Sequence, residues 1–513
     1  DNGYIKFVTD LGAGGVSCAA FEMAEETGGI EFDLDRLLVK YEGMTATELL
    51  MNESQERMAI AVDEEHTAEI EAILRKHEVE FSDIGMFNDS GRAVVHCKGE
   101  TVVDLDMDFL HNGYPQRQLG DAEYRPDRHE QAREFCDFHS YLDMQDKRGR
   151  SRMIAWELDH MHARPNLGSI ADITDRMDSS VKGLGIQHCV QGKGRVTTRA
   201  SCILVDPDSS SGLIQAYGNT ERQSYLDARN MGKNAFLRAA GNNIAMGGRL
   251  DYMVSTDQAL WQSSQDPRYQ RMLIEANQGM AEVIEGCRIP VISGKDSMYN
   301  QATMFDDQGN KVQRGVFPTL LMTTFAKIDD VDDLVTIDAK QQGDLVYIVG
   351  SSTKPDLGGS EYMNMFAEMH EREYRFGHVS DESIEEVYDT FRCMNEATRQ
   401  RLLQSAKYIE AGGLATAVRD CAMAGELGIE CCLDDLHADD RTNIRERMYS
   451  ETEGRFLITC RPENATRIEG LFAGKCSRIG KVDGRTIRFK EGRSSLHEID
   501  VADRLATYHE VAA

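Results

Sequence analysis

Thr9–Ser17 reads TDLGAGGVS, a glycine-rich turn between a short β-type run, Tyr4–Thr9, and a helical run, Cys18–Glu26. Glycines let a backbone approach a phosphate closely, and the first N–H groups of a helix carry about half a positive charge. A carboxylate at Asp10, directly before that helix, suits a Mg²⁺ ion that accompanies the phosphate. The turn predicts an anion site, although a single glycine turn is a weak signal.

The pattern returns near the other end of the chain, so the sequence contains a duplicated domain. Three blocks recur in the same order and at nearly the same spacing: 10–17 with 408–415, 29–37 with 428–436, and 52–60 with 450–458. A further strand and glycine turn, Leu345–Tyr362, precedes the second copy and has no counterpart in the first. We therefore expect the first copy to lack its N-terminal part.

The composition narrows the classes of function. The 513 residues carry 87 acidic and 57 basic side chains, a net charge of −30, and such a surface repels nucleic acid. The sequence contains no run of about 18 apolar residues, so it predicts no membrane-spanning helix. The twelve cysteines form no Cys-x-x-Cys pair, and several, such as Cys189, Cys202 and Cys421, lie in apolar context. They predict buried free thiols, and hence a cytoplasmic protein, rather than disulfides or zinc ligands.

A second group of polar residues follows a buried strand. Residues 289–300 read IPVISGKDSMYN. Gly294 allows close approach of a ligand, Lys295 is a cation, Asp296 is a possible metal ligand, and Ser297 is a hydroxyl donor. The alternative reading of this group is the polar end of a hairpin.

Four motifs together, DLGAGG, ESQERM, SGKDSMYN and LGGSEY, closely resemble phosphoribosylformylglycinamidine synthase, of the aminoimidazole ribonucleotide synthetase superfamily. The resemblance covers about residues 3–495. It implies an α+β fold of duplicated A–B modules whose first module is incomplete. The implied domains are the C-terminal part of the first B domain, 1–103; a linker, 104–150; the second A domain, 151–342; the second B domain, 343–495; and a C-terminal tail, 496–513, expected to form a short helix.

The resemblance implies an ATP-dependent ligase of purine biosynthesis. ATP would phosphorylate the amide oxygen of formylglycinamide ribonucleotide, and ammonia derived from glutamine would displace phosphate to give the amidine. The implied cofactors are ATP and Mg²⁺. The family's catalytic histidines lie in the first A domain, and no glutaminase motif is present. We therefore expect activity only with a partner that supplies that missing N-terminal half, as a separate chain or segment, and with a separate glutaminase subunit.

The site residues are implied position by position, and they fall into two groups. In the first, Asp10 resembles a Mg²⁺ ligand, and Glu53, Ser54 and Gln55 resemble a substrate-binding triplet. In the second, Gly294 resembles an ATP contact, Ser297 resembles a substrate contact, and Asp296 could bind the metal. Small forms of the family often have a metal-binding asparagine where this chain has Lys295, which cannot bind a metal. Structural alternatives are an ion pair of Glu53 with Arg57 and a helix cap at Asp10.

Two other functions compete. One is another ATP-using enzyme of the superfamily, such as a selenophosphate synthetase or a thiamine-phosphate kinase, but those are built from one A–B module. The other is a catalytically inactive scaffold subunit, which the intact Asp10 and Ser293–Ser297 argue against.

Long forms of the family hold a second, non-catalytic nucleotide in the pseudo-symmetric position, and this chain departs from them there. Tyr408 stands where the first copy has Asp10, and Glu410 stands where long forms have a serine. The position of the family's metal-binding aspartate corresponds to Ala200 or Ser201 here, and that of its helical glutamate corresponds to Arg238 or Ala239. Neither carboxylate is therefore present. Phosphates beside Glu410 need cations, because like charges at close range repel. We expect this pseudo-site to hold no Mg²⁺–ADP and to be closed by side chains.

Overall fold

The computed structural model describes residues 3–115, 138, 140, 142, 146, 149–177, 180–371 and 376–510. The chain divides into a smaller unit, Asp1–Gln118, and a larger unit, Leu119–Ala513. None of the helices in the described ranges is both long enough and apolar enough to cross a membrane.

The smaller unit alternates strands and helices. Its elements are β1 (Ile5–Asp10), α1 (Gly15–Glu25), β2 (Ile30–Asp33), α2 (Ala46–Met51), β3 (Met58–Val62), α3 (Thr67–Lys76), β4 (Gly85–Phe87), β5 (Arg92–Cys97), β6 (Glu100–Asp106) and α4 (Met107–Asn112). β1 and β3 form an antiparallel pair, and the other four strands form a sheet in the order β4-β2-β5-β6. The core lies under α1, where Val16, Ala20 and Ala24 pack against Ile30 and Phe32 of β2.

The larger unit begins with a six-stranded sheet. Its first elements are α5 (Arg150–His162), α6 (Ala171–Thr174), β7 (Gly185–Gln187), β8 (Val190–Gln191), β9 (Val196–Thr197), β10 (Ala200–Leu204), β11 (Gly212–Gly218), α7 (Ala228–Met246), β12 (Met253–Leu260), α8 (Pro267–Cys287), β13 (Val291–Ser297), β14 (Gln301–Phe305), β15 (Lys311–Gly315) and β16 (Thr319–Ile328). The sheet order is β13-β12-β16-β11-β10-β7, so β13 is an edge strand. Every residue of α7 except Arg229 is buried, because the helix lies between this sheet and the one that follows.

A seven-stranded sheet completes the larger unit. Its elements are β17 (Leu345–Gly350), α9 (Glu361–Met369), α10 (Ile384–Arg399), β18 (Ser405–Tyr408), α11 (Gly413–Gly425), β19 (Ile429–Cys432), α12 (Ile444–Tyr449), β20 (Arg455–Cys460), α13 (Ala465–Leu471), β21 (Cys476–Val482), β22 (Thr486–Glu491), β23 (Ser494–Asp500) and α14 (Val501–Glu510). The order is β18-β20-β17-β21-β19-β22-β23. Alternate side chains of β17 enter different cores: Val346 and Ile348 enter one, and Tyr347 and Val349 the other.

The two copies of the repeat have the same strand order except at one place. β1-β3 corresponds to β18-β20, and β4-β2-β5-β6 corresponds to β21-β19-β22-β23. In the second copy β17 lies between these two groups and pairs antiparallel with both β20 and β21. The described part of the smaller unit has no strand in that place, so its sheet is split in two. The duplication and the α+β architecture expected from the sequence are thus present.

Several predicted boundaries fall within elements of the structure. The predicted linker, 104–150, starts inside β6, and most of it lies outside the described residues. The predicted tail, 496–513, starts inside β23, and its expected short helix is α14. Cys202 and Cys421 are buried free thiols, as predicted, whereas Cys189 is half-buried.

Candidate functional site

The glycine turn of the smaller unit holds the neighbouring loop against the start of α1. Gly14 is the N-cap with φ +80° and provides no side-chain cap, and Gly15 follows with φ +57°. A Cβ on Gly15 would lie 2.1 Å from the backbone oxygen of Asn52. Only glycine satisfies both this left-handed backbone and this close approach. The residues that follow Asn52, the predicted substrate triplet, are thereby brought to the helix start.

A glutamate occupies the N-terminus of this helix. The Gly14 N–H donates to Glu53 Oε1 at 3.1 Å. A carboxylate is favoured here because the helix dipole and an unsatisfied N–H group both attract negative charge. The turn predicted to hold a phosphate therefore holds a side-chain anion at Gly14, and Glu53 is positioned by it.

The loop that carries the triplet is tied by its own polar groups. Arg57 Nε donates to the carbonyl of Ser54 at 2.9 Å, and a second Arg57 nitrogen donates to the carbonyl of Asn52. Gln55 Nε2 donates to the carbonyl of Glu53 at 2.8 Å. Arg57 therefore holds the backbone of the loop through two carbonyl groups. The alternative reading instead expected an ion pair between Arg57 and the Glu53 carboxylate. Glu53, Ser54 and Gln55 are all exposed.

Asp10 lies at the end of β1, opposite Met58 of β3, and is exposed. The structure does not use it as a helix cap, because Gly14 is the N-cap of α1. Asp10 directly precedes this turn, and the Glu53 carboxylate contacts the turn at Gly14. Carboxylate oxygens are the ligands that Mg²⁺ prefers, so the donor chemistry of this pair fits the ion that the sequence predicts.

The second predicted group lies on the edge strand β13 of the larger unit. Its residues point alternately to opposite faces, as in any strand. Lys295 and Ser297 share one face, and Lys295 Nζ lies 2.6 Å from Ser297 Oγ. Gly294 and Asp296 belong to the opposite face. A metal at Asp296 would thus lie on the other side of the strand from Lys295, whose position resembles that of a metal-binding residue.

Asp257 is a candidate residue that the sequence reasoning missed. It lies on β12 directly beside Gly294 of β13, and a Cβ on Gly294 would be 2.4 Å from Asp257 Oδ1. Burial raises the pKa of Asp257, and the negative charge of Asp296 raises it further. A cation would relieve this repulsion, and both groups are oxygen ligands. An acid among the alternating positions of residues 253–260, which form β12, was the available signal.

The structure therefore forms two groups. Asp10, Glu53, Ser54 and Gln55 belong to the smaller unit, whereas Gly294, Asp296, Ser297 and the additional Asp257 belong to the larger unit. Each group is local, and each is described within its own unit.

The second copy of the turn repeats the glutamate contact and extends it. Gly412, with φ +77°, is the N-cap of α11, and its N–H donates to Glu451 Oε1 at 2.9 Å. The same oxygen accepts from the N–H of Glu361, at the start of α9, at 2.8 Å. Glu451 corresponds to Glu53 in the repeat. One buried carboxylate thus serves two helix N-termini in the larger unit.

An arginine fills the space beside this carboxylate. Arg238 Nη2 lies 2.9 Å from Glu451 Oε2, and Arg238 Nε lies 2.7 Å from Glu453 Oε1. The Tyr408 hydroxyl donates to Glu453 Oε2 at 2.9 Å. Burial raises the pKa of Glu453 to about 7, although Arg238 opposes the shift. The tyrosine ring fits because a Cβ on Gly241 would be 2.3 Å from it.

These contacts fill the space between Tyr408, Glu451 and Glu453 with side chains, and closure of the whole pseudo-site stays a prediction. Glu410 is also neutralised there, by Arg199 at 3.0 Å. The absence of a Mg²⁺–ADP from this place stays a prediction.

Comparison with protein families matches the two copies of the repeat to one domain. Residues 1–98 and 341–490 both match the family described as AIR synthase related protein, C-terminal domain. The phosphoribosylformylglycinamidine synthase subunit PurL of Renibacterium salmoninarum is 27% identical over 483 residues, 93% of this chain and 59% of that protein. The PurL of Methanocaldococcus jannaschii is 28% identical over 516 residues, 99% of this chain and 65% of that protein.

This chain is similar to the PurL subunits over most of its length. It spans about three fifths of the length of these relatives. Among solved structures, T. maritima PurL complexed with ADP superposes with a TM-score of 0.59 at 17% identity, over 94% of this chain and 64% of that one. T. maritima PurL complexed with ATP superposes with a TM-score of 0.57 at 16% identity, over the same shares. The expected family resemblance and fold are confirmed.

Proposed function

We propose that this chain is the ATP-using part of a phosphoribosylformylglycinamidine synthase. It would convert formylglycinamide ribonucleotide and ammonia to the amidine in purine biosynthesis. The observation that carries the proposal is the pairing of Gly14 with Glu53 at the start of α1, which delivers an exposed Glu-Ser-Gln triplet next to Asp10. PurL relatives cover more than nine tenths of the chain, which supports the same assignment.

The residues would divide the work as follows. In the smaller unit Glu53, Ser54 and Gln55 would contact the substrate, and in the larger unit Ser297 would contact it; these carboxylate, hydroxyl and amide groups supply both acceptors and donors for a polar ribonucleotide. Gly294 would admit the nucleotide because it has no side chain. Each within its own unit, Asp10 would hold Mg²⁺ in the smaller unit, and Asp296, with Asp257 beside it, would do so in the larger unit. The ion, when bound, neutralises negative charge on the phosphates.

The chain's own part in catalysis would be positioning. Ammonia is a weak nucleophile, and phosphoryl transfer depends on alignment and on electrostatic stabilisation more than on covalent chemistry. Loop 52–57 is suited to this role because its backbone is held by Arg57 and by the Gly15 contact. The Lys295 ammonium, hydrogen-bonded to Ser297 Oγ, would place one fixed positive charge beside the substrate phosphate.

We propose further that activity requires a partner that carries the first A domain, together with a separate glutaminase. The split sheet of the smaller unit supports this. Ile5, Phe7 and Val8 of β1 and Met58 of β3 are exposed, whereas the corresponding strands β18 and β20 are fully buried. Exposed apolar strands next to an unpaired sheet edge are typical of a surface that another segment covers. The free thiols support a cytoplasmic location.

Formylglycinamide ribonucleotide-dependent ADP release, with ammonium as nitrogen source, tests the proposal on the complex that the chain forms in its own cells. Asp10→Asn should lower the rate by about 100-fold or more, because a metal ligand loses its charge while the turn is preserved. The control is Asp89→Asn, at an exposed aspartate in the turn between β4 and β5, which should leave the rate unchanged. The isolated chain should form no amidine.

Two outcomes would contradict the proposal. Near-normal turnover of Asp10→Asn would remove Asp10 from the metal site. A native complex that binds ATP–Mg²⁺ in calorimetry but releases no ADP with this substrate would favour another enzyme of the superfamily, and one that binds neither would favour a scaffold.

A further inference from the structure

A cleft of about 260 Å³ lies in the larger unit beside the Arg238–Glu451 pair. It is formed by β11, the turn that follows it, and the starts of α9 and α11. The charged side chains that line it balance in number: three arginines, Arg199, Arg222 and Arg238, and three glutamates, Glu221, Glu361 and Glu451. The cleft shares no residue with either group of the proposed amidine-forming site.

All three glutamates of the cleft already have hydrogen-bond donors. Glu451 accepts from two backbone N–H groups and from Arg238. Glu361 accepts from Arg164 at 2.6 Å, and Glu221 accepts from Asn219 at 2.6 Å. These carboxylates therefore have little attraction left for a cation or for a donor-rich ligand.

Two donors of the cleft are, in contrast, unused. Asn364 on α9 is 7% exposed, and its Nδ2 has no hydrogen-bond partner within the described ranges. The Arg222 guanidinium donates no hydrogen bond to any described residue; it lies 5.1 Å from the ring centroid of Phe317 and interacts electrostatically with Glu368. A buried amide that donates to nothing is costly, so a ligand with acceptor atoms would stabilise this cleft.

We propose that this cleft binds a small carboxylate, with Arg222 pairing with the carboxylate and Asn364 donating to one of its oxygens. A planar carboxylate matches the fork of a guanidinium. A phosphate is disfavoured for two reasons. The backbone N–H groups of Gly412 and Glu361, which would otherwise bind it, are taken by Glu451, and a dianion would be repelled by the three glutamates.

The test uses the full chain and two simple probes, acetate and benzoate. Saturation-transfer difference NMR should detect binding of at least one of them at millimolar concentration. Arg222→Gln and the nearly isosteric Asn364→Asp should each raise the dissociation constant by about tenfold or more, because each removes a donor to a charged group. Arg392→Gln is the control. Arg392 is an exposed arginine of α10, paired only along its own helix, and this substitution should change nothing.

Competition experiments separate the other ligand classes. Inorganic phosphate should not displace the bound carboxylate at an equal concentration. The proposal is wrong if neither probe binds the wild-type chain, if the Arg222 and Asn364 variants bind as the wild type does, or if phosphate or Mg²⁺–ADP binds the cleft more tightly than the carboxylates. Circular dichroism of Asn364→Asp establishes that a loss of binding does not come from unfolding.

Discussion

Replacing Arg238 by methionine should destabilise the larger unit strongly. The guanidinium is buried between two buried glutamates, at 2.9 Å from Glu451 and 2.7 Å from Glu453. Removing one partner of a buried ionic group leaves uncompensated charge in a region without water, which typically costs about 3–5 kcal/mol. We expect a loss of that size at neutral pH, and a smaller loss at acidic pH, where the glutamates can be protonated.

The matched control is Arg249→Met. Arg249 also pairs with two carboxylates, Asp251 at 2.7 Å and Asp329 at 2.8 Å, but its side chain is 38% exposed and those of its partners are more exposed still. Exposed pairs are screened by water and contribute roughly 0–1 kcal/mol. The two substitutions remove the same groups, so burial is the variable that the comparison isolates.

Urea unfolding followed by tryptophan fluorescence measures both effects. The chain has two tryptophans, Trp156 and Trp261, and both lie in the larger unit, so the signal reports on that unit alone. Adding Glu453→Gln to Arg238→Met should recover part of the loss, because one of the two unpaired charges disappears. Equal losses for Arg238→Met and Arg249→Met, or no recovery in the double variant, would refute the reasoning.

Three further outcomes are expected. Gly15→Ala should loosen the loop at Asn52, because the new Cβ would be 2.1 Å from the backbone oxygen of Asn52, and hydrogen exchange of the loop should become faster. The control is Gly28→Ala, at φ +86° with open space around it, which should cost only backbone strain of about 1–2 kcal/mol. Glu56→Gly should raise the melting temperature slightly in calorimetry, because Glu56 has φ +63° where the second copy has glycine. Burial raises the pKa of Glu157 from 4.5 to about 7, so the folded state retains a proton that the unfolded state releases. The unfolding free energy should therefore fall as pH rises from about 4.5 to about 7, and Glu157→Gln should flatten that slope in urea titrations at several pH values.

The parts of the fold that follow from local signals could be predicted from the sequence. Both glycine turns start helices, α1 and α11, because a left-handed backbone at these positions requires glycine and does not depend on distant residues. Predictions at the ends of elements were less accurate. The helix α1 begins at Gly15, three residues before the helical run Cys18–Glu26, and β1 covers Ile5–Asp10 where the sequence predicts Tyr4–Thr9.

The pairing of distant residues could not be predicted in the same way. The contact of Glu53 with Gly14 spans 39 positions, and no local pattern shows which side chain reaches a helix start. Asp257 beside Gly294 depends on the register between β12 and β13, which is set by the whole sheet. The opposite orientation of Lys295 and Asp296, in contrast, follows from strand alternation alone and was available from the sequence.

At the pseudo-site, a comparison of single positions predicts that a metal ligand is lost. It does not predict the arrangement of side chains that takes the place of the metal site. A tyrosine in place of Asp10 predicts the loss of a metal ligand, but a ring at Tyr408 also needs space, and Gly241 on α7 provides it. The second copy has Glu453 where the first has the exposed Gln55, and a buried acid is stable only with a cation, which Arg238 on the same helix supplies. These residues are coupled, so reverting Tyr408 to aspartate alone would add a buried carboxylate beside Glu453 without restoring a metal site. Binding of a Mg²⁺–nucleotide at the pseudo-site would also require removal of Arg238, because its guanidinium occupies the space between Glu451 and Glu453.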